Sequence, residues 1–574
     1  MKMKKFVSIT AVLVTTIVLS ACKSKGPEVS LESLLPENSM MVMGVNFADG
    51  EQKDNLMHIL KQFPDVGLAE KIATAANDEL QEEDLTFEDD IKPILTGGWD
   101  LAAAFVFEKG AAEPEVSIVV RIDESKKLER LMKDAGDATV GYSEEGDFDL
   151  WTDAETDLYM GNMDDYWFVT NTEEGRSAIM AKLESGEAKV NSLESKVAEV
   201  KDNLGYFYFD MANFGELLKA DPSAADMPLE IFENFGAVTG SVSAEKDGFA
   251  FKSSADFSNA DEEFVKLLGM GDKKLTLIDK INGIGTIIYG EQATFAIANV
   301  LLGYDVPVTN EVTGEKIAAD RIKEEGAKFF GITPADFDDL LNSNIAFRMG
   351  YAGDNYIPEI GFFVDMKDIN EDAVTKIVDT LNVYFEQMEA EFMAMAEQQP
   401  ELKGALKKDI VNVMGGGVHR MYIDTAVIPA EIKAQMDMLG LKDPKIELNY
   451  GVTGDNVFVL ALTPDFALGY GKGPLTDDAD FKVAADKIGG VDGYAVSYVA
   501  VAPLVDLIND WVAVSEKTGV VPASVKADIN LYVNGFMSTF KYLISSNTYE
   551  DDISKGVGFL KIEKVEMAEV EKGE

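Results

Sequence analysis

One cysteine, Cys22, and two histidines, His58 and His419, are the whole supply of thiol and imidazole in 574 residues. Nucleophile and base chemistry near neutral pH draws mostly on those groups, and each needs a partner within hydrogen-bond reach to be activated. The histidines stand far apart in the chain, so no His-Glu-x-x-His zinc motif exists, and no second cysteine completes a mixed zinc site. Neither is accompanied by a Gly-x-Ser-x-Gly elbow. His58 sits between Met57 and Ile59 in a helical pattern, and His419 follows Gly415-Gly416-Gly417-Val418; both are expected to be structural or surface residues. Gly469-Tyr470-Gly471-Lys472-Gly473-Pro474 lacks the phosphate-loop spacing, and Pro474 stands where such a loop needs free helix-start amides, so it is read as a plain loop. Carboxylates are plentiful instead. Glu82-Glu83-Asp84 and Asp477-Asp478-Ala479-Asp480 offer oxygens of the kind calcium takes, without the alternation and central glycine of an EF-hand. Among so many acids they read as solvated faces, and no glycosidase-type pair stands out. No catalytic, metal or cofactor-binding residue is assigned, and no cofactor is expected.

The elements around Cys22 give it a different chemistry. Met1-Lys2-Met3-Lys4-Lys5 is a short basic start, and Phe6 to Leu19 is apolar but interrupted by Ser8, Thr10, Thr15 and Thr16. That is the layout of a secretory signal. It is shorter than the roughly 20 apolar residues a permanent membrane helix needs. Leu19-Ser20-Ala21-Cys22 resembles the bacterial lipobox, which implies cleavage between Ala21 and Cys22 and lipidation of the Cys22 sulfur. Residues 1–21 are then the signal peptide and 22–33 a polar tether with a Gly26-Pro27 break. Two or three acyl chains hold a protein stably, one only reversibly. The expected partner is the membrane, through the anchor at Cys22. The expected place is the cell envelope, facing periplasm or exterior, on the outer membrane where the cell has one. A lone cysteine also excludes any disulfide within the chain.

Lysine and arginine total 51 against 102 acidic residues, a formal charge of −51 that grows once the three signal lysines are removed. Such a field opposes nucleic acid and anionic lipid head groups. It favours solubility and divalent cations or basic partners; a further envelope-protein partner is expected from the anchor and the missing chemistry. Only Arg121, Arg130, Arg176, Arg321, Arg348 and Arg420 supply the planar fork that recognises phosphate or carboxylate in a bidentate way.

With 46% hydrophobic residues the chain can build an ordinary core. A strand-then-helix pattern recurs at Met40 to Leu60, Gly205 to Leu218, Gly285 to Leu302 and Val496 to Ile508. The second and fourth overlay, Tyr208 on Tyr498 and Leu217 on Leu507. Pro114-Glu115-Val116-Ser117 lies over Pro358-Glu359-Ile360-Gly361. Gly161, Phe168 and Val169 lie over Gly451, Phe458 and Val459, with Asp164-Asp165 and Gly454-Asp455-Asn456 as hairpin turns. The expectation is an α+β fold in which a duplicated domain repeats a mostly antiparallel sheet with packed helices. The first copy spans 34–260, a connector 261–282, the second copy 283–567 and an acidic tail 568–574. The second copy holds an extra helical segment at about 381–413, where Leu381, Phe385, Met388, Phe392 and Met395 form a helical stripe expected to be core.

Leu35-Pro36-Glu37-Asn38-Ser39 before a strand, Asp89-Asp90-Ile91-Lys92-Pro93 before Gly97-Gly98-Trp99, the strand from Pro114 to Asp123, and Asp165-Tyr166-Trp167-Phe168-Val169 resemble the bacterial family catalogued as domain of unknown function 3352. The resemblance implies a secreted or membrane-tethered envelope protein and supplies no catalytic residues. The leading functional expectation is a lipid-anchored, non-enzymatic binding or scaffolding protein. A carrier or binding module for an apolar ligand is the alternative, marked by a lined cavity of about 300–1,000 Å³. A carboxylate- or metal-dependent hydrolase ranks third.

Overall fold

The computed structural model describes the chain between Ser30 and Val565, apart from residues 48–49, 65–98, 108–113, 123–124, 135–139, 154–155, 187–191, 220–228, 272, 305–307, 310–315, 354–356, 399–403, 440–446, 464–468 and 518–528. Ala21, Cys22, the acidic tail, Glu82 to Asp84 and the run from Asp89 to Gly98 lie outside the described residues. Two compact units divide the chain, Met1–Asn259 and Ala260–Glu574, so the stretch 261–282 belongs to the second. Each is α+β around an antiparallel sheet.

The first unit's strands are β1 (Met41–Asn46), β2 (Trp99–Val106), β3 (Glu115–Ile122), β4 (Val140–Glu145), β5 (Phe148–Asp153), β6 (Leu158–Met163), β7 (Tyr166–Thr170), β8 (Gly205–Asp210), β9 (Ala237–Glu245) and β10 (Gly248–Asp256). They pair antiparallel in the order β4-β5-β6-β7-β3-β2-β1-β8-β9-β10. Alternate residues of a strand share a face. Val42, Ala102, Ala104, Val119, Phe168, Tyr206 and Tyr208 bury one face against α1 (Leu31–Leu34), α2 (Glu173–Ser185) and α3 (Ser192–Val197), through Leu34, Ile179, Leu183, Leu193 and Val197. Each such large side chain contributes about 1.5–3 kcal/mol on burial. Helix α2 begins where the Thr172 side chain accepts the Gly175 amide and ends at Gly186, whose φ of 58° closes the last turn.

The second unit's strands are β11 (Thr286–Gln292), β12 (Ile345–Gly350), β13 (Glu359–Asp365), β14 (Leu406–Val413), β15 (Gly416–Ile423), β16 (Glu447–Val452), β17 (Val457–Leu462), β18 (Ala495–Ala500), β19 (Phe540–Glu550) and β20 (Ile553–Ile562), beside a small ladder of Val308–Thr309 with Lys316–Ile317; helices α4 (Ala319–Phe330) and α5 (Pro334–Leu341) precede β12. Their order is β14-β15-β16-β17-β13-β12-β11-β18-β19-β20, strand for strand that of the first unit. The registers correspond as well. Val42 pairs with Ala104 and Tyr208, and Ala104 with Ser117; Tyr289 pairs with Arg348 and Tyr498, and Arg348 with Gly361.

Two sequence expectations change. Residues 406–413 are strand, not helix: α6 (Glu371–Gln398) stops earlier, and Leu406–Val413 forms a hairpin with β15 through a turn with Met414 at φ 55° and Gly415 at φ 98°. The alternating pattern of that strand is carried by few apolar residues, which hid it. The counterpart of Phe168 is Val459 rather than Phe458, because Gly161 pairs with Phe168 but Gly451 with Val459. The turn at Gly454-Asp455-Asn456 holds one residue more than that at Asp164-Asp165.

Candidate functional site

A row of directly paired residues crosses five strands of the second sheet. Phe362 on β13 faces Phe347 on β12, Phe347 faces Gly290 on β11, Gly290 faces Ser497 on β18, and Ser497 faces Ser545 on β19. A parallel row holds Ile345, Gln292, Ala495 and Asn547. Direct partners point to the same side of a sheet, so both rows line one trough. Its volume is about 380 Å³.

Small residues make the trough. A Cβ built on Gly290 would meet only the Val496 carbonyl oxygen, at 4.0 Å, so the space above it is open. Helices cover the same face on either side. Phe362 and Leu460 belong to the apolar cluster of Phe385 and Met388 on α6, while Ile288 and Met349 pack with Leu504 and Leu507 of α7 (Ala502–Lys517). Phe347 between them is 41% exposed, and Ile360 and Leu543 on this face are exposed to similar degrees. A contiguous exposed apolar face in a folded chain marks a contact or ligand site more often than a scattered exposed residue does.

The other face is fixed by a buried carboxylate. Glu291 turns away from the trough and accepts the amides of Thr276, Leu277 and Ile278 at 2.7–2.8 Å, the Tyr289 hydroxyl at 2.7 Å and the Asn344 side-chain amide at 3.3 Å. Burial raises the Glu291 carboxyl above its usual range despite these bonds, and raises the Tyr289 hydroxyl well above its own. Arg348, buried on this face, donates to Glu359 at 2.9 Å and to the Ile284 carbonyl. The strands beneath the trough are thus fastened to the segment that precedes β11. In the first unit Gly44 stands at the position of Glu291, and the Tyr206 ring crosses it so closely that a Cβ would lie 2.2 Å away. The Tyr206 hydroxyl donates to the buried Glu32 of α1. Both units therefore tie the segment before their first central strand through a carboxylate.

A second polar cluster holds α6. Glu389, 2% exposed, accepts from the Tyr450 hydroxyl at 2.7 Å and from Lys408 at 2.9 Å. Tyr450 lies between the Phe385 ring at 4.4 Å and the His419 ring at 5.0 Å. Its hydroxyl is 3.3 Å from His419 Nδ1, and burial leads the causes that raise its ionisation well above the ordinary tyrosine range. His419 thus packs in a ring stack at the end of a hydrogen-bond chain. His58 is exposed and among the described residues meets Gln62, whose side-chain nitrogen lies 3.0 Å from its Nε2. His419 neighbours a hydroxyl that is itself committed to the Glu389 carboxylate.

The remaining sequence candidates have structural roles. Residues 471–474 are turn and loop ahead of a 3-10 helix Leu475–Asp477, with the Gly473 carbonyl taken by the Gly283 amide and the Leu475 amide given to Ile281. Asp478 caps the helix Ala479–Lys487 by accepting from the Asp480 and Phe481 amides. Among the described residues, no three carboxylate, imidazole or thiol side chains converge as a metal would need, and no helix is long and apolar enough to cross a membrane. In the expected stripe Leu381, Phe385 and Met388 pack into the core, whereas Met395 is 50% exposed, and nothing is described of the Phe392 side chain.

No family model and no curated protein matches the chain. Three crystal forms of TP0453 are among the solved structures that align with it. Form IV aligns at a TM-score of 0.25 and 10% identity over 40% of this chain and 81% of that one. Form III gives 0.25 and 10% over 44% and 90%, and form I gives 0.23 and 12% over 41% and 80%. Scores this low carry nothing about fold or activity.

Proposed function

We propose that the chain is a lipid-anchored bacterial envelope protein that works by binding rather than by catalysis, and that the trough of the second sheet is its binding site. The trough carries this reading: an open, apolar, 380 Å³ site whose floor is set by small residues and held by a buried carboxylate below. Its size falls in the range of about 300–1,000 Å³ typical of small-molecule sites. The anchor rests on Leu19-Ser20-Ala21-Cys22 and the signal layout before it. The shared strand order and register of the two units favour descent from one duplicated segment, with the trough a property of the second copy.

Phe347→p-benzoylphenylalanine in intact cells tests the binding role, because the replacement keeps the ring at the rim of the trough. A discrete adduct after illumination is expected there and not from Trp511→p-benzoylphenylalanine, whose site is exposed outside the trough. Equal or absent labelling at the two positions contradicts the proposal.

A further inference from the structure

The first unit shows what the trough accepts. The residues in register with Phe362, Phe347, Gly290, Ser497 and Ser545 are Ile118, Ala103, Met43, Phe207 and Gly240. There Met43 stands where the second unit has Gly290, and the Phe207 ring lies over Gly240, 2.2 Å from where a Cβ would be. The first sheet sets its own apolar side chains, Phe207 still 38% exposed, over the place that the second leaves open. The vacancy in the second sheet thus takes an apolar guest.

Shape and charge narrow that guest. Adjacent strands are about 4.8 Å apart, so a row across five strands runs about 19 Å. The trough is therefore long and narrow, a form that suits an extended chain better than a compact ring system. An apolar cavity of about 150 Å³ takes the six carbons of benzene, so a space of 380 Å³ holds about fifteen carbons at that ratio. Among the described residues no lysine or arginine lines it, and Glu291 directs its carboxylate to the opposite face. An anionic head would meet no cation here and would face the field of a chain charged −51. Gln292, Asn547 and Ser497 instead offer neutral donors and acceptors. Resting on the binding role given above, we infer that the trough holds the single acyl chain of an uncharged amphiphile, such as a monoacylglycerol.

The test uses the mature full-length chain carrying Cys22→Ser, isolated without detergent, and two fluorescent probes of equal chain length. One is a nitrobenzoxadiazole-labelled monoacylglycerol and the other the correspondingly labelled fatty acid. Saturable binding of one neutral probe per chain is expected, at least tenfold tighter than that of the acid. Gly290→Met and the double change Ser497→Phe with Ser545→Gly rebuild the filling of the first unit. Each is expected to weaken binding at least tenfold while the circular dichroism and unfolding midpoint stay at parent values, and either folded variant suffices as a test. Undiminished binding in a folded variant overturns the site, and equal affinity for the acid overturns the neutral class. Failure of both probes to bind overturns the acyl ligand. The binding role itself then stands or falls on the Phe347 adduct in cells, since an adduct of other chemistry supports that role without this ligand.

Discussion

Buried carboxylates, with buried Arg348 beside them, fasten strands in this chain, and Glu291 is the clearest case. It satisfies two fully buried amides, of Leu277 and Ile278, together with that of Thr276. Each buried donor left unpaired costs about 1–3 kcal/mol, so Glu291→Ala is expected to lower unfolding free energy by roughly 3 kcal/mol or more in urea titrations. A loss within error of zero contradicts this role. Its pH response has a definite sign. Burial raises the folded-state carboxyl above 4.5, so the folded state holds the proton more tightly, and the associated stability is complete below that value and lost as pH rises through the folded one. Parent minus Glu291→Gln stability should therefore fall as pH rises above 4.5, and a gap that is flat or rises contradicts the sign. At Gly44 the constraint is steric. Gly44→Ala forces the Tyr206 ring aside and is expected to cost about 1–3 kcal/mol, as overpacking does; unchanged stability contradicts the close approach. None of these roles was legible from the sequence, because a carboxylate among 102 is singled out only by partners brought from distant segments.

At the scale of elements, α6 is the case where periodicity revealed part of the truth. The stripe Leu381, Phe385, Met388 pointed at core and packs there. The same face also carries Glu389, which a hydrophobic pattern passes over although its carboxylate secures the helix to β16 through Tyr450 and to β14 through Lys408. A double-mutant cycle on Glu389→Gln and Tyr450→Phe should give a coupling of about 1–3 kcal/mol, since hydrogen bonds to charged groups exceed neutral ones. A coupling near zero would remove the cluster as the helix's tie. Hairpins were legible where the turn announces itself: Asp164 and Asn456 adopt the left-handed conformation expected of such turns, at φ 53° and 61°. The strand Leu406–Val413 was not, because its exposed positions carry Lys407, Lys408 and Asp409 beside an exposed Ile410.

For the whole molecule, the overlay of Tyr208 on Tyr498 and of Ser117 on Gly361 was legible in the sequence, and the strand registers agree with it. The trough was not, since Gly290, Ser497 and Ser545 are small residues on three strands, and only the sheet order makes them neighbours. The charge of −51 acts on the chain as a whole. Self-repulsion at that charge opposes compactness and is screened by salt, so the thermal midpoint should rise between 0.01 M and 0.5 M sodium chloride; a midpoint that stays or falls shows that the charge is compensated locally. Cys22→Ser should move the protein from the membrane pellet to the supernatant, and retention in the pellet would contradict the anchor. The most direct measurement of the central claim is native mass spectrometry of the full-length protein drawn from its own cells, parent against Gly290→Met. A bound mass on the parent that is lost from the folded variant is the predicted result. No bound mass on the parent, or the same mass on both, would contradict the trough as the binding site.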